Sequence, residues 1–233
     1  MIYNDGPHIE EARPRALDAC CGVGGVTRGL QDAGFHVTGI DIAPQPDYCG
    51  DLLLRGDAVE YIRAHGHEYD VITASWPCQF YSALTRGTNR GRVYPDLIAP
   101  GRAALEATGR PWVIENVAGA PIRKDLMLCG EMFGLAVIRH RFFELSDGLT
   151  VPQPAHPAHR GRVAGWRHGA YHPGPYLAVY GDGGGKGTVA EWQRAMGIDW
   201  TDNRRSIAEA IPPAYARHIG AALYAHVRTT VAA

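Results

Sequence analysis

Short apolar runs alternate with helix-like segments over the first half of the chain, and this alternation constrains the fold more than any other feature. Residues 15–19 (Arg-Ala-Leu-Asp-Ala) read as a buried strand, a glycine-rich turn follows, and residues 26–33 carry helical spacing. Residues 36–40 form a second strand-like run ending at Asp41, residues 59–64 suit a helix, and residues 70–74 read as a third strand. Residues 97–107 are expected to be helical, and Trp112-Val113-Ile114 is a short apolar strand leading into Glu115-Asn116. Such alternation implies an α/β fold, with a Rossmann-like, doubly wound, mostly parallel sheet. Ligands bind outside the carboxyl ends of the strands in these sheets, so residues at those ends are the candidates for chemistry.

A chain of 233 residues, 45% of them hydrophobic, can bury one full core and carry a small appendage. We therefore expect a lead-in at 1–14, a main domain at 15–147, a small lobe at 148–187, and C-terminal helices at 188–233 returning to the main domain. Within the last two, residues 176–180 suggest a strand, and 189–196 and 212–227 suggest helices. No apolar run approaches the roughly 20 residues that span a bilayer, and the start lacks the basic and apolar regions of a signal peptide, so a cytoplasmic location off the membrane is expected. Five cysteines, an odd number with no CxxC pair, argue against a disulfide framework and against a structural zinc site, so no metal is expected. The net charge of -1 supplies no global field for a polyanion. Any nucleic-acid contact must come from a local patch, and residues 148–181 offer one, with no Asp or Glu but with Arg160, Arg162, Arg167 and Trp166.

Three constellations sit at strand ends. In Asp18-Ala19-Cys20-Cys21-Gly22-Val23-Gly24-Gly25 the glycines let the backbone turn tightly and approach a ligand, and Asp41 ends the next strand, where an acid commonly takes a ribose hydroxyl pair. A nicotinamide dinucleotide and S-adenosylmethionine would both suit such a turn. In Ser75-Trp76-Pro77-Cys78-Gln79 a strand delivers a cysteine into the ligand-binding edge, as a reactive thiol requires. Glu115-Asn116-Val117 places a carboxyl beside the same crevice, and Arg139-His140-Arg141 would set two arginines on one face of an extended segment. Taken singly, these are a core cysteine, a cap and a charge run.

In this order the segments resemble the DNA (cytosine-5) methyltransferase family, and its short bacteriophage-type members in particular, over residues 15–141 and again over 189–220. The resemblance implies the S-adenosylmethionine-dependent methyltransferase fold, with S-adenosylmethionine as cofactor and S-adenosylhomocysteine as its product. It implies that Asp18, Cys20, Gly22, Gly24, Gly25, Asp41, Asp57, Pro77 and Glu209 line the donor site. It further implies Cys78 as nucleophile, Glu115 as the carboxyl that contacts the base, Arg139 and Arg141 as the pair that steadies it, and Gln79 as a nucleic-acid contact. The family inserts its recognition region where residues 148–187 lie, so Arg160, Arg162 and Arg167 are expected to read DNA. Cys20 stands where the family usually has an aromatic residue, Val137 where a glutamine often precedes the arginines, and Glu209 where the late motif has asparagine. The implied partner is duplex DNA and the implied setting a monomer in a bacterium or phage-infected host, serving restriction-modification or genome protection. One branch of the family acts on transfer RNA and carries a motif after Glu-Asn-Val that is absent here. An inactive DNA-binding regulator is disfavoured because Cys78, Glu115 and both arginines coexist.

Overall fold

In the computed structural model, which describes residues 13–81, 95–181 and 187–231, the apolar runs assemble into one seven-stranded sheet. Its strands are β1 (Arg15–Ala19), β2 (His36–Asp41), β3 (Leu52–Arg55), β4 (Val71–Ala74), β5 (Trp112–Asn116), β6 (Leu126–Leu128) and β7 (Arg141–Leu145). They lie in the order β3-β2-β1-β4-β5-β7-β6, parallel as far as β5, with β7 antiparallel to both β5 and β6. Helices α1 (Gly25–Asp32), α2 (Ala58–His65) and α3 (Ile98–Ala107) connect the parallel strands, and α4 (Val189–Met196), α5 (Arg204–Glu209) and α6 (Pro213–Val231) follow later. This is the Rossmann-like, doubly wound architecture implied by the alternation. Among the described residues no helix is long and apolar enough to cross a membrane.

Both faces of the sheet are covered, which is why its central strands are apolar at consecutive positions rather than alternate ones. Leu17, Ile72 and Ile114 point into a core shared with Val59, Ile62 and Leu105. Their neighbours Ala16, Val71 and Val113 point into the opposite core with Leu30, Tyr215, Ile219 and Leu223. The last three recur every four residues and give α6 its buried stripe. Helix α1 packs so closely on α6 that a Cβ at Gly29 would lie 2.3 Å from the Pro213 carbonyl oxygen. β1 and β4 are paired side by side at the centre of the sheet, and the site is built on their ends.

Three strands escape the sequence pattern. β3 (Leu52–Arg55) and β6 (Leu126–Leu128) are apolar but only four and three residues long, and β7 begins within the Arg-His-Arg run and carries Glu144. The strand expected at 176–180 does not form. Tyr176 makes only an isolated bridge to Val163, because its side chain is drawn fully into the interior, where its hydroxyl donates to Glu131 Oε2. A separate two-stranded hairpin, β8 (Gly165–Arg167) and β9 (Ala170–His172), stands in this region. Residues 1–12 of the expected lead-in and 182–186 of the expected lobe lie outside the described residues.

Candidate active site

The strand order reverses between β1 and β4, which opens a crevice at their carboxyl ends. On the β1 side, Cys20, Gly22 and Gly24 all adopt positive φ, at 57°, 51° and 93°. The turn thereby brings the Gly22 amide to Asp41, donating to Oδ2 at 3.0 Å, while Ala43 N donates to Oδ1 at 2.9 Å. Asp41 is thus held at the rim by backbone donors. Beneath the turn, Asp18 is fully buried and accepts from Thr27 Oγ1 at 2.7 Å and Thr73 Oγ1 at 3.2 Å. Burial pushes its carboxyl up to about 7, and the two hydroxyls only partly offset that rise. Burial and the surrounding Asp41, Asp18 and Asp57 likewise raise the Cys20 thiol.

The glycines have different neighbours. A Cβ at Gly22 would meet nothing within 4 Å, whereas one at Gly24 would lie 2.7 Å from Cys49 Sγ and one at Gly25 2.2 Å from the Ile211 carbonyl oxygen. Gly22 therefore faces open space, and Gly25 gives room to the returning chain. Asp57 caps α2, accepting from Glu60 N at 2.9 Å. Glu209 is paired instead with Arg205 at 3.0 Å, exposed on α5. Among the donor-site residues expected from sequence, the turn and Asp41 come together at the crevice, and Glu209 is engaged elsewhere.

On the β4 side, the loop carrying Pro77 and Cys78 is pinned at two points. Asn116 Nδ2 donates to the Trp76 carbonyl at 3.0 Å, and Tyr81 N donates to the Cys78 carbonyl at 3.0 Å. The Trp76 ring is buried against Gly101, where a Cβ would lie 2.3 Å away. Glu115, at the end of β5, forms an ion pair with Arg141 (Nε to Oε1, 3.0 Å), both side chains being largely buried. That contact lacks hydrogen-bond geometry, which leaves Oε1 with hydrogen-bonding capacity inside the crevice. Burial raises the Glu115 carboxyl, and Arg141 and Arg139 counter it only in part. Burial and the nearby Glu115 raise the Cys78 thiol as well, against the pull of the same two arginines. Cys78, Glu115, Arg139 and Arg141 thus form one electrostatic cluster.

Arg139 is buried, and two of its nitrogens are already engaged: Nη1 donates to Val179 O at 3.2 Å and Nη2 to Ala208 O at 2.8 Å. Its Nε has no hydrogen-bond partner. The surrounding protein pushes the guanidinium down to about 9, chiefly through burial and then through Arg141. Further out, Arg160 pairs with Glu131 at 2.9 Å and covers the Tyr176 ring, while Arg162 is exposed near His172. Arg167 lies on β8, with a side chain outside the described residues. Gln79 begins the turn after Cys78.

Several residues of the crevice were given no role from the sequence. Ile42, just past Asp41, is 72% exposed although aliphatic. The Ser75 side chain works against the rise of the Glu115 carboxyl, and Asn116 pins the cysteine loop. Trp200 Nε1 donates to the Val23 carbonyl at 2.9 Å, tying the later chain to the glycine turn. An aliphatic residue directly after a strand-ending acid was a usable signal for Ile42; Ser75 and Trp200 gave none.

No protein-family model and no curated protein matches the sequence. Among solved structures, the S. pombe Dnmt2 methyltransferase aligns over 94% of this chain and 99% of its own length, with a TM-score of 0.55 at 14% identity. A putative DNA modification methyltransferase from an E. coli prophage aligns over 56% of this chain with a TM-score of 0.41 at 20% identity. A Spodoptera frugiperda DNMT2 variant aligns over 60% of this chain with a TM-score of 0.42 at 18% identity. The chain spans 45% of the prophage protein and 52% of the insect one. The full-length alignment shows that the sheet, its helices and the later segments are arranged as in a methyltransferase fold.

Proposed function

We propose that this chain transfers a methyl group from S-adenosylmethionine to carbon 5 of a flipped-out cytosine in DNA, through a covalent adduct with Cys78. The observation that carries the reading is the convergence of Cys78 with an ion-paired Glu115–Arg141 couple, beside a glycine turn at the sheet's switch point. The turn fits the donor. Gly22 faces open space, Asp41 is fixed by backbone donors within reach of a ribose, and exposed Ile42 offers an apolar face to an adenine. When bound, the donor supplies the electrophilic methyl that carbon 5 of the base takes up.

Carbon 5 of cytosine is too weak a nucleophile to react directly, and the residues of the crevice remedy this. The Cys78 thiolate forms a bond to carbon 6, and the electrons of the 5,6 double bond shift toward carbon 5. Glu115, whose burial favours its protonated form, donates a proton to ring nitrogen 3 and absorbs the charge that would otherwise build there. Arg141 stands against Glu115 and Cys78 and stabilises the thiolate and the developing charge on the base oxygen. After methylation the carbon-5 proton passes to water, the sulfur–carbon bond breaks so that Cys78 leaves as thiolate, and the proton on ring nitrogen 3 returns to Glu115. A base stacked inside a duplex cannot present carbon 6 to Cys78, so it must be flipped out. Residues 148–187 are read as the lobe that contacts DNA, through exposed Arg162 and through Arg167 on the hairpin.

The test is methyl transfer from labelled donor to cytosine-containing duplex DNA, run beside transfer RNA. Wild type should label DNA and be trapped covalently on DNA carrying 5-fluorocytosine, whose fluorine cannot leave as a proton. Cys78→Ala should do neither while still binding donor. Trapping that survives in Cys78→Ala refutes the nucleophile, and label appearing only on transfer RNA refutes the substrate.

A further inference from the structure

Behind the arginine pair, three separated segments bring four metal-binding side chains to one point: Cys129, His140, His156 and His159. Cys129 follows β6 and is fully buried, His140 lies between Arg139 and Arg141, and His156 and His159 belong to an irregular stretch that leads toward the hairpin. Each residue presents one ligand atom, and all four atoms lie within 4.8 Å of one another. We propose that these residues form a structural zinc site that clamps the segment carrying His156 and His159 onto the β6–β7 end of the sheet.

Two of the six ligand–ligand distances match tetrahedral coordination, and all six lie within 4.8 Å. With zinc–nitrogen bonds of about 2.0–2.1 Å and zinc–sulfur bonds of about 2.3 Å, a tetrahedral angle puts two ligand nitrogens about 3.3–3.4 Å apart and a sulfur and a nitrogen about 3.6 Å apart. His140 Nε2 and His156 Nε2 are 3.2 Å apart, and Cys129 Sγ and His159 Nε2 are 3.5 Å apart. The three imidazoles crowd together, with ring centroids 5.4, 5.5 and 5.0 Å apart. The tautomer of His156 also suits a ligand. Its Nδ1 lies 2.8 Å from the Pro157 carbonyl, which can only accept, so Nδ1 carries the proton and Nε2 keeps its lone pair toward the cluster. Orientation of a ligating histidine through its other ring nitrogen is the usual supporting arrangement at metal sites.

The burial pattern provides an entry path and a role. His156 and His159 are exposed while Cys129 is enclosed, so a metal can arrive from solvent and be sealed by the thiolate. Four protein ligands close the coordination sphere, which is the mark of structural rather than catalytic zinc. The clamp holds a stretch that has no helix or strand between β7 and β8, and it fixes His140 and with it the backbone between the two arginines. The proposal departs from the expectation of no metal drawn from the missing CxxC pair. The ligands come from distant segments, and only the His156-x-x-His159 spacing was local.

The experiment measures metal and leaves methyl transfer aside, so its failure and that of the proposed function are separable. Tag-free protein is purified without chelator, its zinc is counted by elemental mass spectrometry, and zinc is then exchanged for cobalt(II). One zinc per chain is expected, with tetrahedral cobalt bands and a thiolate-to-cobalt charge-transfer band that disappears in Cys129→Ser. His156→Gln, an exposed substitution, should weaken zinc affinity by about 10- to 100-fold at least, since that is the scale for losing a partner that merely orients a ligand. His168→Gln, exposed and outside the cluster, should leave affinity unchanged. Because Cys129→Ser could unfold the chain, chelated wild type re-titrated with zinc serves as the second readout and should recover its melting temperature. Protein that retains no zinc and gains no stability on titration, or affinity unaltered in His156→Gln, overturns the site.

Discussion

Replacing Asp18 with asparagine should make the folded chain more stable at alkaline pH and leave it unchanged in acid. Asp18 lies under the glycine turn with no exposure, and its carboxyl is raised from 3.8 to about 7, mainly by burial. A carboxyl whose folded pKa lies above its unfolded one contributes stability that is complete below pH 4 and is lost as pH rises through 7. At about 1.4 kcal/mol per unit, the full loss is ~4 kcal/mol, of which ~2 kcal/mol falls between pH 5.5 and 8.5. Asparagine keeps the shape and can be satisfied, because Thr73 Oγ1 also reaches the Leu17 carbonyl at 3.4 Å and Thr27 Oγ1 also reaches the Tyr48 hydroxyl at 3.1 Å. Urea unfolding of wild type and Asp18→Asn at the two pH values reads the effect. The stability difference should move in favour of the variant by ~2 kcal/mol on going to pH 8.5. A difference that stays constant within about 0.5 kcal/mol, well under the linkage value, would mean that Asp18 is ionised throughout and that its hydroxyl partners outweigh its burial.

Gly22→Ala should weaken donor binding by calorimetry while costing only about 1–2 kcal/mol in stability, because its methyl enters open space at a positive φ. Unchanged affinity would move the donor away from this turn. Asn116→Ala removes the hydrogen bond to Trp76 O and should lower stability by about 1–3 kcal/mol and slow methylation, with donor affinity preserved. Equal rates in variant and wild type would show that the cysteine loop holds its shape without the pin. Arg162→Ala combined with Arg167→Ala should weaken DNA binding and flatten its salt dependence, since each lost phosphate contact removes about 0.9 from the slope. A salt slope equal to wild type would remove the lobe from the interface.

The elements that were legible from sequence are those whose residues are buried on both sides. β1, β4 and β5 announced themselves because Leu17, Ile72 and Ile114 and their neighbours serve two cores at once. The glycine turn was legible because positive φ demands glycine at Gly22 and Gly24. β7 was not, since it begins at Arg141 and carries Glu144, a charge hidden in the core by its pairing with Arg102 at 2.7 Å. The expectation for 176–180 failed for a related reason. Tyr176 looks like a strand aromatic, but its hydroxyl and ring serve Glu131 and Arg160, contacts that no local pattern encodes. The metal ligands escaped because four residues from three segments have no common period.

The structure separates two arginines that the sequence could only treat as a pair. Arg139 gives one guanidinium donor to Val179 O and another to Ala208 O, while its own carbonyl accepts from the Tyr215 hydroxyl at 2.7 Å. It is therefore tied to the segment after the hairpin, to α5 and to α6, while its Nε keeps an unpartnered donor. Arg141 is tied to Glu115 and to its neighbour's carbonyl, His140 O, at 3.0 Å. Under the proposed chemistry, Arg141 works on the reacting charge and Arg139 positions it, by locking the returning chain against the crevice. His140 sits between them and, if ligated as inferred, holds that backbone from its far side. The seating of the appended segments and the geometry around Cys78 then depend on one another, so loosening the clamp should disturb the cysteine cluster before it disturbs the sheet.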